Sequence, residues 1–558
     1  MLSTMQDVPL TVGRILVHGS THHGRSTVAT WNGDSADHRS YAEVGARAAQ
    51  LAHALRDELG VTGDQRVATL MWNNTEHLEI YLAVPGMAAV LHTLNLRLPT
   101  HQLAFIINHA ADHVILVDDT VLPLLAPALP LLQPTLRHIV VVGDGDRSAL
   151  ADFTGAVHGY EELIADRPTE FPWATEIDER TAAALCYTSG TTGDPKGVAY
   201  SHRSIYLHCL QINAGESFGL GTSDRVLPVV PMFHVNAWGI PHAAFMSGAN
   251  LLMPDRFLQP EPIARMIAAE RPTFSLAVPT IWTGLLDELD QGSYDTSSLT
   301  RVVIGGSACP PALMRAFKER HRIELIHAWG MTETSPLGSV AHPPAGLTSE
   351  EEQAYRITQG RFPASVEARL SGPSGDLLPH DGRSAGELEV RGPWIADAYF
   401  GGAHPGGTDA HPERPDDKFT PDGWLRTGDV GTISPDGFLT LTDRAKDVIK
   451  SGGEWISSQE LENHLVDHPD VAEAAVVAVP DDKWGERPLA TVVLRDGASV
   501  DFTALRAFLA ERVASWQLPE RWSLIPAVPK TSVGKFDKKL IRAQYADGEL
   551  EVVLVDKA

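Results

Sequence analysis

Tyr187-Thr188-Ser189-Gly190-Thr191-Thr192-Gly193-Asp194-Pro195-Lys196-Gly197 sets hydroxyls, glycines and a single lysine between two apolar runs. Residues 183–187 read as a strand entering the segment, and residues 198–200 as a strand leaving it. Glycine lets backbone N–H groups approach an anion, and the hydroxyls and the lysine ammonium add donors and charge. That combination suits the cradling of a triphosphate. It is not the common P-loop, which ends in Gly-Lys-Ser/Thr, because Lys196 stands between Pro195 and Gly197. The competing reading is an ordinary surface loop.

On either side of this segment, helical and strand patterns alternate, which predicts α/β architecture. Residues 40–59 and 76–92 read as helices. Residues 66–71, 114–117, 138–142 and 301–304 read as strands, and Pro310-Pro311 suits the first turn of a helix. Residues 401–421, rich in Gly, Pro, His and Asp, read as a surface excursion without chemistry. Near residue 443 the pattern changes: 437–442 alternates like a strand, Ser457-Ser458-Gln459-Glu460 matches a capping box, and 471–479 reads as a strand.

The chain has 558 residues, 43% hydrophobic and 21% charged, with a net charge of −26. This is an ordinary globular composition, long enough for more than one domain. The acidic balance argues against a nucleic-acid or anionic-membrane binder. Cys186, Cys209 and Cys309 are widely spaced and read as buried thiols, implying neither a disulfide framework nor a zinc site. No signal-peptide pattern opens the sequence and no apolar run reaches ~18 residues, so a cytoplasmic location without integral membrane contact is expected.

Four further segments accompany the glycine-rich loop: His327-Ala328-Trp329-Gly330-Met331-Thr332-Glu333, Gly423-Trp424-Leu425-Arg426-Thr427-Gly428-Asp429, Asp443-Arg444-Ala445-Lys446-Asp447 and Pro529-Lys530-Thr531-Ser532-Val533-Gly534-Lys535. Together, in this order, they resemble the signatures of the adenylate-forming superfamily, which includes acyl-CoA synthetases, adenylation domains and luciferases. Residues 231–238 and 450–458 resemble most the medium- and long-chain fatty acyl-CoA synthetases. The resemblance implies a large N-terminal domain of mixed sheets with flanking helices (1–443), a hinge (444–447) and a small mobile α+β domain (448–558). It also implies a two-step reaction: a carboxylate attacks the α-phosphorus of ATP to give acyl-AMP and pyrophosphate, and the CoA thiol then displaces AMP.

Site roles follow from the same resemblance. Lys535 is the catalytic cation at the carboxylate and α-phosphate; by spacing alone it reads as a solvated lysine beside Lys530, Lys538 and Lys539. Glu333, with Thr188 assisting, is the Mg²⁺ ligand set, since Mg²⁺ takes oxygen donors; the alternative for Thr332-Glu333 is a favourable acid at a helix N-terminus. The ATP/AMP site comprises Thr188, Ser189, Gly190, Thr191, Thr192, Lys196, Gly305, Gly306, His327, Ala328, Trp329, Thr332, Asp429 and Arg444. Within it Trp329 offers a face for adenine, and Asp429 clamps the ribose or else forms an Asx turn.

Lys446 is the hinge. Lys450, Gly452, Gly453 and Trp455 face CoA, or form a plain turn. His234, Val235 and Trp238 line the acyl site, with Trp238 either the gate of an acyl tunnel or a core aromatic. His234 and His242 lack the spacing of a metal pair. No carboxylate stands between Pro231 and Pro254 to pair an ammonium, which disfavours an amino-acid substrate. The leading expectation is an acyl-CoA synthetase for an apolar acid, with Mg²⁺, ATP and CoA, and a homodimer as the family norm. The alternatives are transfer to a carrier protein, a single half-reaction, or a silent ATP- or adenylate-binding relative.

Overall fold

The computed structural model describes residues 1, 3–188, 194–372, 374–401, 412–415, 417–444, 447–451, 454–499, 501–531 and 536–555. Among them the strands form three sheets of fourteen, nine and six strands. The nine-stranded sheet is built on buried β-branched runs such as Val114–Asp118 and His138–Val142, paired in parallel as continuous apolar strands require. Toward one edge it carries an antiparallel pair, Ala182–Tyr187 against Gly197–Ser201, whose register puts Tyr187 opposite Gly197, and the short strands Tyr399–Phe400 and Pro412–Glu413 complete that edge. The glycine-rich segment therefore connects these two paired strands in the chain.

Residues 76–92 do not form one helix. The helix Thr75–Gly86 stops, Ala88 takes φ 68°, and Val90–Thr93 becomes a central strand between Arg66–Leu70 and Ala182–Tyr187. An apolar run buried on every side carries no period that separates helix from strand.

The fourteen-stranded sheet changes character along its length. Its Thr27–Trp31, Arg225–Pro228, Asn250–Met253, Phe274–Ala277 and Arg301–Ile304 strands are parallel neighbours, whereas its far half is antiparallel. The strand Glu324–Gly330 joins the halves: it pairs in parallel through His327 and antiparallel from Ala328 on.

The six-stranded sheet belongs to a smaller α+β unit with the helices Ser458–Val466, Phe502–Ala510 and Lys538–Ala546 and apolar clusters of its own. Among the described residues no helix is long and apolar enough to cross a membrane, and all three cysteines are buried thiols.

Candidate active site

The seam strand Glu324–Gly330 delivers the nucleotide-type residues to one place. A register shift after Trp329 ends its regular pairing, and the turn Thr332–Thr334 follows. Glu333 is 5% exposed, and its Oε1 accepts a 2.6 Å hydrogen bond from the Tyr399 hydroxyl. Its carbonyl accepts from Ala396 N at 2.8 Å, and the Thr332 carbonyl accepts from the Tyr200 hydroxyl at 2.7 Å. Among the described residues no lysine or arginine forms an ion pair with Glu333. A buried carboxylate met only by a neutral donor is costly in isolation and suited to a cation that arrives with a ligand.

Asp429 lies inside the strand Leu425–Ile433, 4% exposed, rather than in an Asx turn. Its Oδ2 accepts from Trp329 Nε1 at 2.8 Å, and its cross-strand neighbour is Arg444. The indole lies on Gly338, where a β-carbon would come within 2.2 Å of the ring. Gly338 thus occupies one face of the indole, and the Trp329 N–H is committed to Asp429. His327 is buried, which pushes its imidazole down to about 4 and keeps it neutral.

Gly305 and Gly306 follow the parallel strand Arg301–Ile304. A β-carbon on Gly305 would sit 2.8 Å from the Ala328 carbonyl oxygen and 3.3 Å from the Trp238 ring, and Gly306 takes φ 82°. This contact joins residues expected at the nucleotide to one expected at the acyl group. Trp238 is half-buried and ends a run, Val235 to Trp238, with φ of 47–56°, continued by Gly239 at 77°. Each L-residue in that region costs about 1–2 kcal/mol, so the turn needs outside support. Asn73 anchors the segment leading into it by donating 2.9 Å bonds to the Pro228 and Val230 carbonyls and accepting from Met232 N, while the Tyr81 hydroxyl donates to the Met232 carbonyl and, at 3.3 Å, to Asn236 Oδ1 within the turn. His234 borders this turn. His242 is buried, 3.2 Å from the Tyr81 carbonyl, and no three-residue metal cluster exists among the described residues.

At the ends of the glycine-rich segment, Thr188 N donates to the Lys196 carbonyl at 2.9 Å and Thr188 Oγ1 accepts from Lys196 N at 3.1 Å. Lys196 Nζ stands 4.9 Å over the Tyr399 ring. Ser189, Gly190, Thr191, Thr192, Lys446, Gly452, Gly453 and Lys535 lie outside the described residues, as do the side chains of Arg444 and Trp455. Lys450 is exposed on the strand Ile449–Ser451, with its N–H on Glu486.

The patterns in the chain did not reveal Tyr200, Tyr399 or Asn73, because each acts on a segment distant in sequence. The excursion after residue 400 also does more than cover surface. Pro412–Glu413 pairs with the Tyr399–Phe400 strand, and the Phe419 ring lies 5.5 Å from that of Tyr399.

Where the smaller unit joins, Ser457 Oγ accepts from Glu460 N and donates to the Thr442 carbonyl, giving the N-cap half of the expected capping box. Asp443 accepts from Ser458 N, Lys538 pairs with Glu462 at 2.7 Å, and Arg542 pairs with Asp447 at 2.9 Å.

Residues 18–400 match the family model described as AMP-binding enzyme, and residues 460–535 match the AMP-binding enzyme C-terminal domain. The chain belongs to the AMP-binding enzymes. Similar proteins include the 3-methylmercaptopropionyl-CoA ligase of Ruegeria pomeroyi, 43% identical over 98% of this chain and 99% of its own. The medium-chain-fatty-acid–CoA ligase of Ectopseudomonas oleovorans is 42% identical over 98% of both chains. The long-chain-fatty-acid–CoA ligase of Thermus thermophilus is 41% identical over 97% of both. The anthranilate CoA ligase AuaEII in complex with anthranoyl-AMP shares the fold, with TM-score 0.85 and 24% identity over 98% of this chain and 100% of its own. This AMP-binding enzyme is an acid–thiol ligase of the AMP-forming type.

Proposed function

We propose that this AMP-binding enzyme converts an apolar, aliphatic carboxylic acid, ATP and CoA to acyl-CoA, AMP and pyrophosphate through an acyl-adenylate. The observation that carries the reading is the meeting of Gly305, the Ala328 carbonyl and the Trp238 ring on the strand whose next residue, Trp329, donates to the buried Asp429. It sets an apolar wall against a polar nucleotide cradle. The turn and helix from Pro231 to Pro254 carry no carboxylate, which favours an uncharged acyl tail over an amino acid.

In this reading the acid's carboxylate displaces pyrophosphate from the α-phosphorus of ATP, and Lys535 and Lys196 offset the charge that moves. Asp429, oriented by Trp329, accepts from the ribose hydroxyls. Glu333 and Thr188 offer hard oxygen donors, which suits Mg²⁺ held largely by phosphate oxygens. When bound, Mg²⁺ neutralises triphosphate charge. Rotation of residues 448–558 about the hinge 444–447 then exchanges Lys535 for the Lys450 face, and the CoA thiolate attacks the acyl carbonyl while AMP leaves. A homodimer and a cytoplasmic setting, where ATP and CoA are available, complete the proposal.

The test is pyrophosphate release without CoA and thioester mass with CoA, over a panel of short thioether, medium- and long-chain, aryl and amino acids. Both signals with aliphatic acids and neither with amino acids support the reading. Thioester formed only from supplied acyl-adenylate overturns the adenylation roles. Pyrophosphate without thioester points to a carrier-protein acceptor.

A further inference from the structure

Tyr399 touches both charged groups that the phosphates would meet. Its hydroxyl donates to Glu333 Oε1 at 2.6 Å, and its ring face lies 4.9 Å beneath Lys196 Nζ. The residue is buried, and its segment, residues 396–400, is held at three points. Its strand pairs with the strand leaving the glycine-rich segment through Phe400 and Gly197, the Phe419 ring packs at 5.5 Å, and Ala396 N bonds the Glu333 carbonyl.

A lysine and a buried carboxylate on neighbouring segments attract strongly, yet no Lys196–Glu333 pair forms among the described residues. Direct contact would neutralise both groups before the nucleotide arrived, and Mg²⁺-ATP would have to separate them. The aromatic ring stands in the way. It satisfies one carboxylate oxygen with a neutral donor and offers the ammonium a π face in place of a counter-ion.

We propose that Tyr399 is a positioning residue and spacer: its hydroxyl aims Glu333 at the metal on the ATP phosphates, and its ring keeps Lys196 from collapsing onto that carboxylate. The proposal rests on the reading of Glu333 as the metal ligand. It separates into two halves, because Tyr399→Phe removes only the hydroxyl whereas Tyr399→Leu removes the ring as well.

The experiment measures Mn²⁺ affinity by electron paramagnetic resonance with α,β-methylene-ATP present, and the affinity for that nucleotide without metal, in wild type, Tyr399→Phe, Tyr399→Leu and Glu333→Gln. Melting temperatures monitor folding. Tyr399→Phe is expected to weaken Mn²⁺ binding about tenfold, the usual scale for a group that orients a metal ligand, with metal-free nucleotide affinity unchanged. Tyr399→Leu is expected to lose in both readouts, the metal-free loss being about fivefold.

Wild-type Mn²⁺ affinity in Tyr399→Phe, with loss in Glu333→Gln, overturns the positioning role alone. Equal losses in both readouts for Tyr399→Phe, with a lowered melting temperature, overturn it in favour of plain packing. Wild-type metal-free affinity in Tyr399→Leu overturns the spacer. Wild-type Mn²⁺ affinity in Glu333→Gln overturns the reading of Glu333 itself, and the proposal with it.

Discussion

Two buried acidic regions solve the same problem differently. At the seam, Glu333 is met by the neutral hydroxyl of Tyr399, and its charge is left for something that arrives. At the junction with the smaller unit, Glu462 is met by Lys538 and Asp447 by Arg542, so the charges close on each other. In the proposed function, the first arrangement gives up stability for readiness toward a cationic ligand. The second fixes the start of the helix Ser458–Val466 against residues 442–443.

Acid is expected to produce the largest difference between the regions. Burial pushes His77, His202, His242 and His327 down to about 4 and His208 to about 3, all in the large unit. The unfolded chain binds protons at these sites near 6.5 while the folded chain does not, so stability falls as pH drops from about 6.5 toward 4. The loss is of order several kcal/mol in total, comparable with the stability of a whole domain. Calorimetry across that window should show a steep fall in melting temperature, and a flat profile would deny that these rings stay neutral.

Asp429→Ala sharpens the functional side next. Losing a charged acceptor for two hydroxyls should lower kcat/KM for ATP about 100-fold or more, with the fold intact by circular dichroism. At the junction, Lys538→Met leaves Glu462 without its cation and should destabilise the smaller unit by about 3 kcal/mol. Adding Glu462→Gln should recover most of that in urea titrations. If the double variant is no better than the single one, the pair is not the closed unit described above. The smallest effect is expected from Trp329→Phe. It keeps an aromatic face but removes the N–H to Asp429, costing about 1 kcal/mol, read as roughly a fivefold rise in the KM for ATP.

Much of this was legible in the chain. The strands flanking the glycine-rich segment, the motif at residues 327–333 and the N-cap at Ser457 all rest on local chemistry, where residue type and spacing set the backbone, whereas the strand that holds Asp429 was not read from the chain. Residues 87–93 were not legible, because a segment buried on all faces shows neither period. Nor were the supports of the site. Tyr399 stands 66 residues from Glu333 in sequence and Asn73 stands 159 from Met232, and no local pattern relates such pairs.

The sequence by itself determined the α/β architecture, through its periodicity, and the enzyme class, through the family its motifs resemble, because motifs and periodicity are short-range properties. Only the tertiary structure decided how the charges of the site are held: Trp329 committed to Asp429, Tyr399 between Glu333 and Lys196, and the segment entering the left-handed turn before Gly239 anchored by Asn73 and Tyr81. Hydrogen bonds and ring contacts act over a few ångströms of space, and only folding brings residues so far apart in the chain to that distance.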